Sequence, residues 1–393
     1  MTWRTRCCVA LTATVVALTG CVGEGGTDPA ADSEVSQPIE STTTAASSIS
    51  TVENDRDSAA AAFTRGVFAD LHGDEPGCTV AVGRDGAVVF AEAYGAARLD
   101  PFEPMTVDTV VDIASVSKQF TATAVLLLAE RGVVDLDAPL STYLPDLPAW
   151  ASQPTLAQLI HHQSGIPDYI DLLPERGFSE TRSPTVADAL AALGDVAELD
   201  FEPGSSWSYS NSNYFLLSQV VLAATGVDLG AFLAAEVFGP LGLDMVMDPV
   251  ATIENKAMSY ERVDGAWQPW ENRWEPNIGA GAIQTTPSQL VVWAAQYWEP
   301  TIGAATIDAE RLDDAADAGG GDAYGAGIIE RDLGGSVGQV LGHGGRWDGF
   351  DTTFSVAPSH QLAVAVSCTT PDAMRRLGRT VDVDLLGAWI GSS

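Results

Sequence analysis

Residues 113–120 read "IASVSKQF", and the apolar run "TATAVLLLAERG" (121–132) follows directly. Lys118 is one of only two lysines in 393 residues, the other being Lys256. Lysine is costly to bury, yet this one stands at the mouth of a helix whose continuous apolar character predicts burial over 119–131. On a helix, residues three apart share a face, so Ser115 and Lys118 can touch. Ser115 falls in the first turn, where free N–H groups and the helix dipole favour negative charge. A serine hydroxyl is inert near neutrality until a base takes its proton, and a lysine can be that base if desolvation or a nearby cation lowers its pKa from about 10.4. A drop of roughly three units costs on the order of 4 kcal/mol, which stability alone does not justify. A solvated lysine behind a surface N-cap is the commonplace reading of Ser-x-x-Lys. The apolar run behind Lys118 argues for the nucleophile instead.

The rest of the chain bounds that reading. With 46% hydrophobic residues it can bury a large core, and Asp+Glu 53 against Lys+Arg 19 gives a net charge of −34. Such acidity repels phosphate backbones and anionic head groups, which argues against nucleic acid as a partner. "MTWRTR" is a basic start and "CCVALTATVVALTG" a short apolar stretch, the pattern of an export signal over 1–20. It closes on Leu18-Thr19-Gly20-Cys21, which resembles the lipobox of bacterial lipoproteins and predicts lipidation of Cys21. Residues 21–56, polar and rich in Ser and Thr, are expected to be a disordered tether, leaving 57–393 as the working domain on the extracytoplasmic face of a membrane. Of the cysteines, Cys78 and Cys368 then remain in an oxidising compartment, where they can pair or serve as small buried hydrophobes.

Periodicity predicts a helix at 58–73, a hairpin at 78–95 around Arg84-Asp85-Gly86, and helices at 119–131, 155–161, 185–193 and 212–225. Short strands resume over 324–370, and "DAMRRLGRTVDVDLLGAWI" (372–390) reads as one closing amphipathic helix. Strands split by a long helical segment imply an α/β layer with an inserted helical subdomain and a cleft at their junction. Gly334-Gly335-Ser336-Val337-Gly338 matches a nucleophile elbow in letters only, because strand-like runs flank it on both sides; it is read as a hairpin turn. His161-His162 lacks a third metal ligand at useful spacing and is assigned a structural role. "GGGDAYGAG" (319–327) lacks the lysine and helix start of a phosphate cradle. Neither cofactor nor metal is implied.

Several blocks recur in order: "SVSKQFTATAVLLLAERGVVDLDAPLSTYLPDLP", "TLAQLIHHQSGIPDY", "FEPGSSWSYSNSNYFLLSQVV", "VFGPLGLDM", "GAGAIQTTPSQLVVWA" and "LGHGGRWDGF". Together they resemble the serine β-lactamase and penicillin-binding-protein superfamily, in its class C β-lactamase-like branch of D,D-peptidases and esterases. The resemblance implies an antiparallel sheet flanked by helices with an inserted all-helical subdomain. It implies roles for Ser115 as nucleophile, for Lys118 as its partner, and for Tyr209 of Tyr209-Ser210-Asn211 as general base toward Ser115 and acid toward the leaving group. Asn211 is expected to orient Lys118 and to bind a substrate amide. His343-Gly344-Gly345 stands where much of the family has Lys-Thr-Gly, exchanging a fixed charge for one that titrates. The Arg346 amide is expected to join that of Ser115 in an oxyanion hole. In the family the first strand pairs with the last, which implies a Cys78–Cys368 disulfide. The implied activity is hydrolysis of an amide, ester or lactam in a small or peptidoglycan-like substrate through an acyl-enzyme, with no obligate protein partner. The alternative is a catalytically silent wall-binding lipoprotein.

Overall fold

The strand Cys78–Arg84 alternates Val80 and Val82 on one face with Ala81 on the other, and both faces are buried. Its neighbour Leu362–Cys368 is likewise buried throughout, as expected for strands covered on both sides. These lie in the interior of an eight-stranded sheet in a computed structural model that describes residues 57–391 except 180, 271–273, 304–314 and 379. The expected export signal, Cys21 and the expected tether fall outside the described residues. Across the sheet the order is Ala316–Gly319, Asp322–Tyr324, Ile329–Asp332, Gln339–Trp347, Phe350–Ala357, Leu362–Cys368, Cys78–Arg84 and Ala87–Tyr94. Every neighbouring pair is antiparallel. Cys78 lies opposite Cys368 in register, and a disulfide joins them. The predicted hairpin turns at Asp85 and Gly86, both at positive φ (52° and 76°), the geometry that matches strand twist.

Large residues on one face, among them Val80, Val364, Val366 and Phe90, pack under the helices Ser58–Val67 and Val381–Gly391, with Trp389 set against Phe90 at 5.6 Å. The opposite face carries Ala81, Ala363 and Ala365 and is covered by Pro287–Trp293. Small residues there allow a close approach; a Cβ on Gly83 would meet Val291 at 2.8 Å.

Between Tyr94 and Ala316 the chain builds the helical insert, including Leu156–Ile160, Tyr169–Glu175, Val186–Gly194 and Asn211–Thr225. It also carries short strands that periodicity did not single out: a three-stranded sheet of Val111–Asp112, Ile283–Thr285 and Val246–Met247, and the hairpin Tyr260–Val263 with Ala266–Pro269. The closing segment differs from expectation. It forms two helices, Pro371–Leu377 and Val381–Gly391, because Gly378 at φ 98°, ψ 149° leaves the helical region. The first helix stops at Val67. The run that was expected to start a strand at residue 324 instead ends one there: Asp322–Tyr324 turns through Gly327, at φ 73°, into the separate strand Ile329–Asp332.

Candidate active site

The site begins with a strained turn. Ala114 has φ 49°, uncommon for a residue with a side chain. Its N–H donates to Asp112 Oδ1 at 2.7 Å, and Gln284 Nε2 holds the other carboxylate oxygen at 2.9 Å. Ser115 thus lies in a 3₁₀ turn, Ala114–Ser117, and the α-helix starts only at Lys118. Residues i and i+3 eclipse in a 3₁₀ turn, so Ser115 and Lys118 are stacked more directly than in an α-helix.

Lys118 has no exposed surface. Its Nζ lies 3.1 Å from Ser115 Oγ, 2.8 Å from Asn211 Oδ1 and 2.6 Å from the Ala280 carbonyl oxygen. Asn211 arrives because the helix Asn211–Thr225 packs on Lys118–Glu130. Its amide orientation is set by Asp168, whose Oδ2 accepts from Asn211 Nδ2 at 2.8 Å and from Asn211 N at 2.9 Å. Two partners of Nζ are therefore pure acceptors, and the third is a hydroxyl. A neutral amine satisfies all three with two N–H donors and one lone pair, and that lone pair is left for the serine proton. Burial pushes the amine down to about 7, with the Asp168 carboxylate pulling weakly upward.

Tyr209 is half-buried, with its ring centroid 4.9 Å from Lys118 Nζ. Burial raises the phenol well above its ordinary value, and its hydrogen bond with Ser115 only partly offsets this. The resting residue therefore keeps its proton. A protonated phenol argues against Tyr209 as general base toward Ser115 and leaves its expected part as acid open, while the Lys118 amine stands in hydrogen-bond contact with Ser115 Oγ.

His343-Gly344-Gly345 lies on Gln339–Trp347, which pairs with Ile329–Asp332 only as far as Gly342 and, among the described residues, leaves that edge free beyond it. At its end Asp348 and Gly349, at φ 49° and 79°, make a two-residue turn. Such a turn makes Trp347–Phe350 a hydrogen-bonded pair, so Arg346 opposite Asp351 is a non-bonded pair and its amide points away from that neighbour. Gly345 abuts the Ser115 turn: an added Cβ would strike the Ile113 carbonyl and reach 2.9 Å from Ser115 N. Glycine is required here so that the two amides can approach. The Arg346 side chain is exposed and held by Asp351 through Nε at 2.9 Å and Nη2 at 2.5 Å.

His343 departs from expectation. Its ring is buried, with Nδ1 2.5 Å from the Gly344 carbonyl and Nε2 3.1 Å from Tyr324 Oη. The carbonyl requires Nδ1 to carry the proton, so Nε2 accepts from the tyrosine. Burial, reinforced by Lys118, pushes the imidazole down to about 3. It stays neutral through the physiological range and offers the cleft no charge.

The structure brings Ser115, Lys118, Tyr209 and Asn211 together beside the strand bearing His343, Gly344, Gly345 and Arg346. Cys78 and Cys368 sit at the ends of their strands, apart from this group. Sequence reasoning missed the Ala280 carbonyl and Asp168. Asp168 carries the mark of an N-cap, which it is, with Oδ1 accepting from Ile170 N, but nothing in the pattern shows its second oxygen reaching Asn211. His162 was given a structural role and packs its buried ring 4.4 Å from Tyr209, with Nδ1 3.0 Å from Asn213 Nδ2 and 3.3 Å from Ser210 N.

An antiparallel sheet with a Ser-x-x-Lys turn, a Tyr-x-Asn loop and a glycine-bearing edge strand at one cleft defines the serine hydrolases of the β-lactamase and penicillin-binding-protein type. The chain belongs to this family: residues 58–387 match the family described as Beta-lactamase. It is 34% identical over 241 residues to a D-aminopeptidase of Brucella anthropi, covering 60% of this chain and 45% of that protein. With a D-aminopeptidase of Cereibacter sphaeroides the identity is 30% over 308 residues, 74% of this chain and 56% of the relative. The chain thus spans about half the length of the curated relatives it matches. Among solved structures, a D-amino acid amidase from Ochrobactrum anthropi SV3 superposes with a TM-score of 0.71 at 25% identity, over 85% of this chain and 98% of that one.

Proposed function

We propose that the protein is an exported, lipid-anchored serine hydrolase that cleaves amide or ester bonds next to a D-amino acid bearing a free amine. The leader-like start and the Leu-Thr-Gly-Cys21 stretch support the location, and the D-aminopeptidase relatives support the substrate class. One observation carries the chemistry: a buried Lys118 amine that meets two pure acceptors and, as its third partner, the Ser115 hydroxyl.

In the proposed reaction Lys118 takes the Ser115 proton as Oγ bonds to the carbonyl carbon, and the displaced electron pair rests on an oxygen held by the amides of Ser115 and Arg346. Tyr209 protonates the leaving nitrogen as the C–N bond breaks, and the Lys118 ammonium restores its proton. Water then attacks the acyl-enzyme, gives its proton back through the same pair, and Ser115 leaves as a hydroxyl. The neutral His343 and the Asp351-bound Arg346 offer little to grip a substrate carboxylate. This favours an aminopeptidase or amidase over the carboxypeptidase and β-lactamase activities of the class C-like branch.

The test combines labelling with a substrate panel. A fluorophosphonate is expected to label the protein and to fail on Ser115→Ala. D-Alanine p-nitroanilide is expected to be cleaved in preference to its L form and to an N-acylated D-Ala-D-Ala peptide. Tyr209→Phe should lower acylation by about 10²–10⁴-fold. Absence of Ser115-dependent labelling would establish the silent, wall-binding alternative; faster release of C-terminal D-alanine would overturn the aminopeptidase reading.

A further inference from the structure

The helix Leu156–Ile160 runs out through His161 into His162, which takes φ 57°. Helices commonly end on a left-handed residue, but glycine or asparagine usually supplies it, so the turn alone does not account for a histidine. His162 is wholly buried and ties the chain on both sides of Tyr209. Its carbonyl oxygen accepts from Ser208 N at 3.0 Å, and its ring Nδ1 accepts from Ser210 N at 3.3 Å. A backbone N–H can only donate, so Nδ1 is the acceptor and Nε2 carries the proton of the neutral ring. Asn213 Nδ2 is a second donor to Nδ1 at 3.0 Å, turned that way because Asn213 Oδ1 accepts from Ser164 Oγ at 2.5 Å. Burial, reinforced by the Lys118 amine, pushes the imidazole well below its ordinary range, which keeps Nδ1 an acceptor. The ring also packs 4.4 Å from that of Tyr209, centroid to centroid. Its Nε2 is buried with no hydrogen-bond partner among the described residues, at a cost of about 1–3 kcal/mol that an apolar side chain would avoid. That apolar side chain would leave the Ser210 amide without its acceptor.

We propose that His162 is a positioning residue for bond cleavage: by holding the backbone before and after Tyr209, it fixes the phenol where its proton reaches the leaving nitrogen. This rests on the hydrolase reading above, in which Tyr209 is that acid, and adds what holds the acid in place. Loss of the ring acceptor frees the Ser210 side of the loop while the carbonyl still ties Ser208, so the phenol shifts without the fold opening. A shift of about 1 Å is enough to cost on the order of 10²-fold.

The test uses the full-length protein with D-alanine p-nitroanilide and D-alanine p-nitrophenyl ester, which share one acyl group, each corrected for spontaneous hydrolysis. p-Nitrophenolate departs as an anion, whereas p-nitroaniline must be protonated as it leaves, so only the anilide needs the Tyr209 proton. The readout is the ratio of kcat/KM, ester over anilide, which a loss of folded enzyme does not move. Tyr209→Phe is expected to raise it about 10²-fold or more. His162→Leu and His162→Gln both take the acceptor away from the place of Nδ1 and should each raise it about tenfold or more, so that one failing to fold leaves the other. His162→Asn sets Oδ1 where Nδ1 stood and suits a positive φ; it should return the ratio to within about threefold of wild type. In the Tyr209→Phe background, His162→Gln should raise the ratio no further. If Tyr209→Phe raises the ratio but the Leu and Gln variants do not, or if His162→Asn matches them, the inference is overturned and the hydrolase reading stands. If Tyr209→Phe leaves the ratio unchanged, or wild type cleaves neither substrate, that reading falls and takes the inference with it.

Discussion

Replacing Lys118 by Met removes the amine while nearly preserving its volume, and the consequence for stability depends on pH in a calculable way. The amine is held at about 7 in the folded protein against an ordinary 10.5. Between those values the unfolded chain binds a proton that the folded chain lacks, so this site destabilises the fold most below about pH 7 and ceases to do so above about 10.5. The penalty is roughly 4 kcal/mol near pH 7.5 and roughly 1 kcal/mol near pH 9.5. Lys118→Met escapes it. The variant also strips donors from Asn211 Oδ1 and the Ala280 carbonyl, at about 1–3 kcal/mol each, but that loss does not vary with pH over this window. Urea unfolding of both proteins should therefore show the wild type gaining about 2–3 kcal/mol relative to the variant between about pH 7.5 and 9.5. Because the chain has only two lysines, a ¹³Cε-lysine label yields two resonances, and the one lost in Lys118→Met should titrate near 7. A stability difference that stays constant with pH, together with no resonance moving near neutrality, would refute the reasoning.

Three further outcomes follow from the same geometry. Asp168→Asn removes the carboxylate that pulls Lys118 upward, so the acidic limb of the acylation pH profile should move to lower pH; a shift upward would contradict the assignment. Gly345→Ala drives a methyl into the Ile113 carbonyl and toward Ser115 N, and burst kinetics should show acylation falling about 10²–10³-fold, whereas an unchanged burst would remove these amides from the oxyanion hole. Reduction of the Cys78–Cys368 bridge, whose ends are 290 residues apart, should cost about 2–5 kcal/mol in thermal or denaturant unfolding and leave a Cys368→Ser variant unaffected by reductant.

Local pattern was enough for the main helices, the first hairpin and the contact of Ser115 with Lys118, but not for the short strands of the insert or the break at Gly378. The spacing of Ser115 and Lys118 is a property of one helical turn, the apolar run behind them reports burial, and Asp85-Gly86 marks its hairpin by backbone preference alone. None of these needs knowledge of distant residues. What the amine does was decided elsewhere, by Asn211, 93 residues away, and by the Ala280 carbonyl, 162 residues away. The same holds for His343, whose letter reads as a titrating charge but whose burial against Tyr324 removes that charge. Periodicity reports which face of a segment leaves water, whereas a pKa depends on how completely it does so and on the dipoles that replace the solvent; only the packed chain supplies both.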